Sequence, residues 1–168
     1  TPTIASLDGS EDVGAVAQTI PEQPGVSVLP GPKPAESADI QRTLQHIDSV
    51  SARILVDCPS GAGPDVTDPL SAANRAIVVT TTNGESLKDA QTTVALARRL
   101  EVSIAGIVVT KAGSVPESVE DRFEPPVLAA VPESASPLAN EQALAAYDRT
   151  VDALDADPDP NTDTDSAN

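Results

Sequence analysis

The chain has no methionine, no tryptophan, one phenylalanine, one tyrosine, one cysteine and one histidine. A core must therefore come from Ala, Val, Leu and Ile, and an aromatic platform on which nucleic-acid bases stack is not expected. Cys58 alone excludes an intramolecular disulfide and a four-cysteine zinc site, and it is compatible with a reducing compartment. His46, beside Ile47 in a helical pattern and with no second histidine, reads as a surface or packing residue. Cationic residues are also scarce: ten Lys and Arg face 26 Asp and Glu, a net charge of −16. That balance repels phosphate backbones and anionic membrane surfaces, so nucleic acid is disfavoured as a direct partner. It suits a protein that works in concentrated salt, where self-repulsion is screened, and a halophilic, archaeal origin is the expectation. No apolar run approaches the ~18 residues of a spanning helix, and the first residues lack the basic and apolar regions of a signal peptide. A soluble, cytoplasmic protein is expected.

The 168 residues are 39% hydrophobic, enough for one domain of ordinary size. Short runs rich in β-branched residues, each bounded by Pro, Gly or polar residues, occur at Val26 to Leu29, Ile54 to Val56, Ala76 to Val79, Ile104 to Val109 and Val127 to Val131. These predict strands. Between them, Leu87, Ala90, Val94, Ala97 and Leu100 recur at helical spacing, with Ser86 and Asp89 as a capping-box-like start. Shorter stripes fall at Ile40, Leu44, Ile47 and at Leu144, Tyr147, Val151, Leu154, and a weaker helix candidate spans Asp12 to Ile20. Strands alternating with helices imply an α/β fold with a doubly wound, mostly parallel sheet. The domain is expected over residues 1–154, with Pro30 to Pro34 as an internal linker. Residues 155–168, D-A-D-P-D-P-N-T-D-T-D-S-A-N, have too little apolar content to offset the entropy of ordering and read as a disordered acidic tail. Neither basic nor bulky apolar, the tail is not a membrane-targeting helix.

Chemistry concentrates at Arg53 to Gly63, R-I-L-V-D-C-P-S-G-A-G, where an apolar run ends in Asp57 and then in Pro and Gly. A buried parallel strand delivers a carboxylate to its carboxyl end in this way, where open α/β sheets bind ligands, and then opens into a loop. A strand that merely stops at a polar turn has the same look. Asp65 and Asp68 read as acids favoured by a helix N-terminus, and Arg98 and Arg99 as cations favoured by a helix C-terminus.

Taken in order, V-S-V-L-P-G, R-I-L-V-D-C-P-S-G, A-I-V-V-T-T-T-N-G-E-S-L-K-D-A, G-I-V-V-T-K-A-G and V-L-A-A-V-P-E resemble the MinD/ParA family of P-loop ATPases, over roughly residues 1 to 154. The resemblance implies that Asp57 is the Walker B aspartate, which supports magnesium through a water, and that Pro59, Ser60 and Gly61 form the switch II loop. It places Thr80 to Ser86 in the loop after the next strand, Thr110 and Lys111 near the adenine, and Val131, Pro132 and Glu133 in a later base-side loop. ATP and Mg2+ are the implied cofactors, and a homo- or hetero-dimer with a MinD/ParA-like subunit is the implied assembly.

The family's K-G-G-x-G-K-[ST] loop, which cradles phosphates with backbone N–H groups and lysines, has no counterpart in this sequence. Gly9, Gly14, Gly25 and Gly31 are not followed by Lys-Ser or Lys-Thr, and Lys33 is flanked by prolines and cannot open a helix. No residue is therefore assigned a catalytic role, and these residues alone are not expected to hydrolyse ATP. The opening segment resembles the stretch just after the family's first βαβ unit, so that unit is expected upstream, and without it Ile54 to Val56 would lack a neighbour on one side. Two functions are compatible with this pattern. One is the distal part of an ATPase whose nucleotide-driven dimerisation and hydrolysis position cell-division, chromosome or other cargo machinery. The other is a non-catalytic, MinD-like pseudo-ATPase that binds or regulates an intact homologue. The lone Cys58, with no C-x-x-C pair, speaks against the iron–sulfur scaffold branch of the wider class.

Overall fold

The computed structural model describes residues 3–7, 13–21, 23–32, 40–47 and 53–156. Two compact units divide the chain, Thr1–Asp57 and Cys58–Asn168. Lys33, at the heart of the Pro-rich linker, and the acidic segment from residue 157 onward lie outside the described residues, as does the side chain of His46.

In the first unit a 3-10 turn at Ile4–Ser6 precedes helix α1 (Val13–Val16), strands β1 (Gln18–Thr19) and β2 (Ser27–Val28), and helix α2 (Ile40–Ile47). Leu7, Val16 and Ile47 form its small core, with Ile4, Val13 and Leu29 against them. The helix expected over Asp12 to Ile20 stops at Val16, and its second half is β1, which pairs antiparallel with β2. Gly25, at φ +88, closes the turn between the two strands in a conformation that glycine adopts without strain. The run Val26 to Leu29 is thus half of a hairpin and not a parallel strand, because its pairing partner is adjacent in sequence. The run Ile54 to Val56 is not a strand at all: residues 53–59 have no regular secondary structure, and Ile54, Leu55 and Val56 are 41%, 84% and 43% exposed. Apolar residues adopt a strand only where a neighbour takes up their N–H and C=O groups, and here they form no ladder.

The second unit is a sheet sandwiched by helices. Helix α3 (Pro64–Ala72) leads to β3 (Arg75–Thr80), α4 (Gly84–Arg99), β4 (Ser103–Thr110), α5 (Glu117–Glu120), β5 (Val127–Val131), a 3-10 turn at Pro137–Ala139 and α6 (Glu141–Ala156). The three strands run parallel in the order β3-β4-β5, as the α/β expectation requires. β3 and β4 are dense in Val and Ile, whose branched side chains fit a pleated surface, and β5, V-L-A-A-V, adds smaller apolar side chains. On one face Val78, Ile107 and Val109 meet Leu87, Ala90 and Val94 of α4, together with Val119 and Phe123. On the other, Val108, Ala129 and Val131 meet Ala143 and Ala146 of α6.

Helix α4 begins one turn earlier than the Ser86–Asp89 capping box implied. Asn83 is the N-cap, its side chain accepting from the Glu85 N–H at 2.8 Å, while Ser86 is engaged elsewhere. At the other end Glu101 adopts φ +59, and the Val102 N–H reaches back to the Ala97 carbonyl at 2.9 Å, a Schellman closure. Arg98 and Arg99 occupy that last turn, as the dipole argument expects.

Helix α6 departs from its expected role. The apolar stripe Leu144, Tyr147 and Val151 is 40%, 38% and 47% exposed, and small Ala143 and Ala146 are what touch the sheet. The same sheet face carries Val79 of β3 at 61% exposure. Helix α6 starts beyond the carboxyl end of β5, and its last turn reaches the amino end of β3, where Arg75 bonds to the Leu154 carbonyl. It crosses the sheet diagonally and leaves the carboxyl half of β3 bare.

Candidate functional site

Three parallel strands place three carboxyl ends side by side, the edge at which open α/β sheets bind ligands. At the end of β4 the Thr110 hydroxyl donates to the Thr80 carbonyl of β3 at 3.1 Å. On the opposite side the Ala112 N–H donates to the Val131 carbonyl of β5 at 3.1 Å. Lys111 sits between these two fastenings at φ +56, a left-handed conformation that costs a non-glycine residue about 1 kcal/mol or more. The turn holds because both neighbouring strands grip it, and the Lys111 side chain is exposed. Val131 leads directly into half-buried Pro132 and exposed Glu133. Thr110, Lys111, Pro132 and Glu133, four of the residues singled out from sequence, therefore converge on one edge. They offer an ammonium, a carboxylate and a hydroxyl within one short stretch of that edge.

The switch-like residues lie in a separate segment. Pro59 and Ser60 are exposed in the irregular stretch before α3, and Gly61 takes φ +123, open to glycine and strained for any other residue. Asp57 is exposed at the end of the first unit. Asp65 lies in the first turn of α3, as the dipole reading expects.

Sequence reasoning did not find the hydroxyl cluster beside this edge. Thr80, 2% exposed, shares a hydrogen bond of 3.0 Å with Ser86, whose Oγ also accepts from the Thr81 N–H at 3.0 Å. The signal available was the run T-T-T-N-G-E-S, three hydroxyls at a strand end followed by a serine one helical turn into α4.

Two shallow hollows, of about 350 and 210 Å3, share Arg98 and Glu124 and lie toward the amino ends of the strands, one of them lined by Ser103 and Pro125. Arg98 and Glu124 are ion-paired across them. Both are open and far from the carboxyl edge, so they are not the candidate site.

Among the described residues no group of three His, Cys, Asp or Glu side chains could hold a metal. Magnesium needs only one or two carboxylates when phosphates and waters complete its shell. Asp57 is a single exposed carboxylate, and the sequence has no K-G-G-x-G-K-[ST] loop to bring a triphosphate to it. The residues present do not by themselves make a magnesium–nucleotide site.

The chain has the fold of MinD- and ParA-type ATPases. It superposes on the cell division ATPase MinD of Pyrococcus furiosus with a TM-score of 0.76 at 23% identity, over 92% of this chain and 75% of that one. For the septum site-determining protein MinD of Pyrococcus horikoshii, solved with Mg-ADP, the TM-score is 0.68 at 24% identity, over 87% and 63% of the two chains. In sequence it is 28% identical over 138 residues to an uncharacterized ATP-binding protein of Methanocaldococcus jannaschii, a match covering 76% of this chain and 52% of that protein. The chain thus spans about half the length of this curated relative. No family model matches the sequence. Among the described residues no helix is long and apolar enough to cross a membrane.

Proposed function

We propose that these 168 residues are the base-side part of a MinD/ParA-like ATPase, in which ATP-driven dimerisation and hydrolysis position cell-division, chromosome or other cargo machinery. The observation that carries the reading is the carboxyl edge, where the Thr110–Lys111 turn is bonded to Thr80 on one side and, through Ala112, to Val131 on the other, next to Pro132 and Glu133, in a fold shared with a MinD bound to Mg-ADP. Lys111 and its turn would face the base, with Pro132 and Glu133 beside it. Asp57 would support magnesium through a water, and Pro59 to Gly61 would respond to the phosphate.

The bare corner of the sheet supports a phosphate-binding unit supplied from outside these residues. Among the described residues β3 is an outer strand, so one side of it can accept a parallel neighbour. With right-handed crossovers, the flank of α6 that carries Leu144, Tyr147 and Val151 turns toward β3 and overlooks Val79. A strand beside β3 followed by a helix over Val79 would cover this apolar groove, and strand–loop–helix is the form in which phosphate-binding loops occur. The assembly would be a homo- or hetero-dimer in the cytoplasm of a salt-adapted archaeon, in keeping with the net charge of −16.

Calorimetric titration of Mg-ADP into residues 1–168, and into the native product from its source cell with its intact mass measured, tests this reading. The expected result is no saturable binding to the 17.1 kDa chain and binding by a heavier native product or by its complex with a second subunit. A native product of 17.1 kDa that binds no nucleotide, alone or in complex, would overturn it and leave the pseudo-ATPase reading.

A further inference from the structure

We propose that Ser86, in the first turn of α4, is a positioning residue for the Lys111 turn after β4, 25 positions further along the chain. This inference rests on the reading of the carboxyl edge as a nucleotide site for its biological purpose, but not for its physical content. Two hydroxyls, Ser86 and Thr80, stand between helix and turn. Ser86 Oγ accepts the Thr81 N–H and pairs with Thr80 Oγ1, each at 3.0 Å, and Thr80 Oγ1 in turn donates to the Thr81 carbonyl at 3.2 Å. That set of bonds fixes the donor sense: with its own proton on the Thr81 carbonyl, Thr80 accepts the Ser86 proton. The peptide joining Thr80 to Thr81 is thereby gripped on the Thr81 side by Ser86, while its Thr80 carbonyl accepts the Thr110 hydroxyl at 3.1 Å.

The chain of bonds therefore runs from the first turn of α4 through the end of β3 to Thr110, whose next residue is the left-handed Lys111. A strained turn persists only where its surroundings over-determine it. Thr80 is 2% exposed, so water cannot freely replace a lost partner, and a missing Ser86 hydroxyl leaves the 80–81 peptide held by side chains only on its Thr80 carbonyl. Ser86 thus sets how firmly Lys111 is presented without touching whatever Lys111 binds. It also explains why α4 is capped by Asn83: the serine is committed to the strand end.

The Ala112 N–H, bonded to the Val131 carbonyl just past the turn, is the natural reporter. Its hydrogen exchange in residues 1–168 is compared among wild type, Ser86→Ala, Ser86→Thr and Thr110→Val, with the amides of Ile107 and Leu144 as references. The expected result is at least tenfold faster exchange of Ala112 in Ser86→Ala and Thr110→Val, recovery in Ser86→Thr, and references unchanged. A double variant should be no faster than the quicker single. Unchanged Ala112 exchange in Ser86→Ala would overturn the proposal, as would acceleration shared equally by Ile107 and Leu144 or failure of Ser86→Thr to restore it. Titration of Mg-ADP into the protein species that binds it gives the second arm: Ser86→Ala should weaken binding at least threefold, with recovery in Ser86→Thr. If Ala112 responds and no protein species binds Mg-ADP, the nucleotide reading fails while the positioning role stands.

Discussion

The guanidinium of Arg75, the first residue of β3, donates to the carbonyl oxygen of Leu154 in the last turn of α6 across 3.1 Å. A cation at a helix C-terminus meets both an orphan carbonyl and the negative end of the helix dipole. The bond joins residues 79 positions apart and fixes the diagonal on which α6 crosses the sheet. Arg75→Ala should lower stability by about 1 kcal/mol, the usual worth of a charged hydrogen bond at a half-exposed site. Urea unfolding monitored by circular dichroism reads this directly. Arg75→Lys should recover part of the loss, because an ammonium keeps the charge but not the planar fork.

Gly106 of β4 lies close against Leu128 of β5 and the Pro126 carbonyl. The ladder slips one residue on each side of it, between Ala76 and Ile77 toward β3 and between Ile107 and Val108 toward β5. A Cβ placed there would lie 2.5 Å from Leu128 Cγ and 2.7 Å from the Pro126 carbonyl oxygen. The leucine could turn aside, but the carbonyl is backbone and also accepts the Ile107 N–H at 2.8 Å. Gly106→Ala should therefore cost on the order of 1–3 kcal/mol by overpacking. Adding Leu128→Ala should relieve only part of that loss, and the thermal midpoints of the two variants measure how much.

The net charge of −16 gives a third expectation. Among the described ion pairs, Arg98–Glu124 is exposed on both sides and adds little. Folding brings this excess of like charge into a smaller volume, and potassium chloride should therefore raise the urea midpoint. The shape of the rise identifies its cause. The Debye length falls from about 10 Å at 0.1 M to about 3 Å at 1 M, so screening should deliver most of the gain below ~1 M. A midpoint that climbs linearly to 3 M would instead indicate strengthened apolar burial.

Much of this fold is legible in the sequence, and the reasons it fails where it does are physical. β3, β4 and β5 read correctly because each is a short apolar run bounded by Pro, Gly or polar residues, and α4 because its stripe carries the core. Val26 to Leu29 and Ile54 to Val56 have the same composition, yet strand identity depends on the neighbour, which composition does not encode. The stripe on α6 is real but faces away from the contacts that bury the helix, since Ala143 and Ala146 allow closer approach to the sheet. Thr110, Lys111, Pro132 and Glu133 follow the predicted apolar runs directly, and the family resemblance singled them out. The fastening of Thr110 to Thr80, and of Thr80 and Thr81 to Ser86, could not be read in this way, because it depends on which hydroxyl turns inward.

The exposed corner supplies the sharpest separation between stability and assembly. Val78 and Val79 are consecutive in β3, yet one is 4% exposed within the core and the other 61% exposed on the bare face. Val78→Ala should destabilise the chain by about 1 to 3 kcal/mol, through lost burial and the cavity left behind. Val79→Asp removes no core contact and should change stability by no more than about 0.5 kcal/mol. If the groove between Val79 and Leu144, Tyr147 and Val151 receives an apolar helix, the same Val79→Asp change should block it. A carboxylate would be buried there without a partner. In the native product Val79→Asp should then abolish Mg-ADP binding while leaving the isolated 168 residues folded, and Val79→Leu should preserve both. Unaltered nucleotide binding in the Val79→Asp native product would show that the phosphate-binding unit does not pack on this corner.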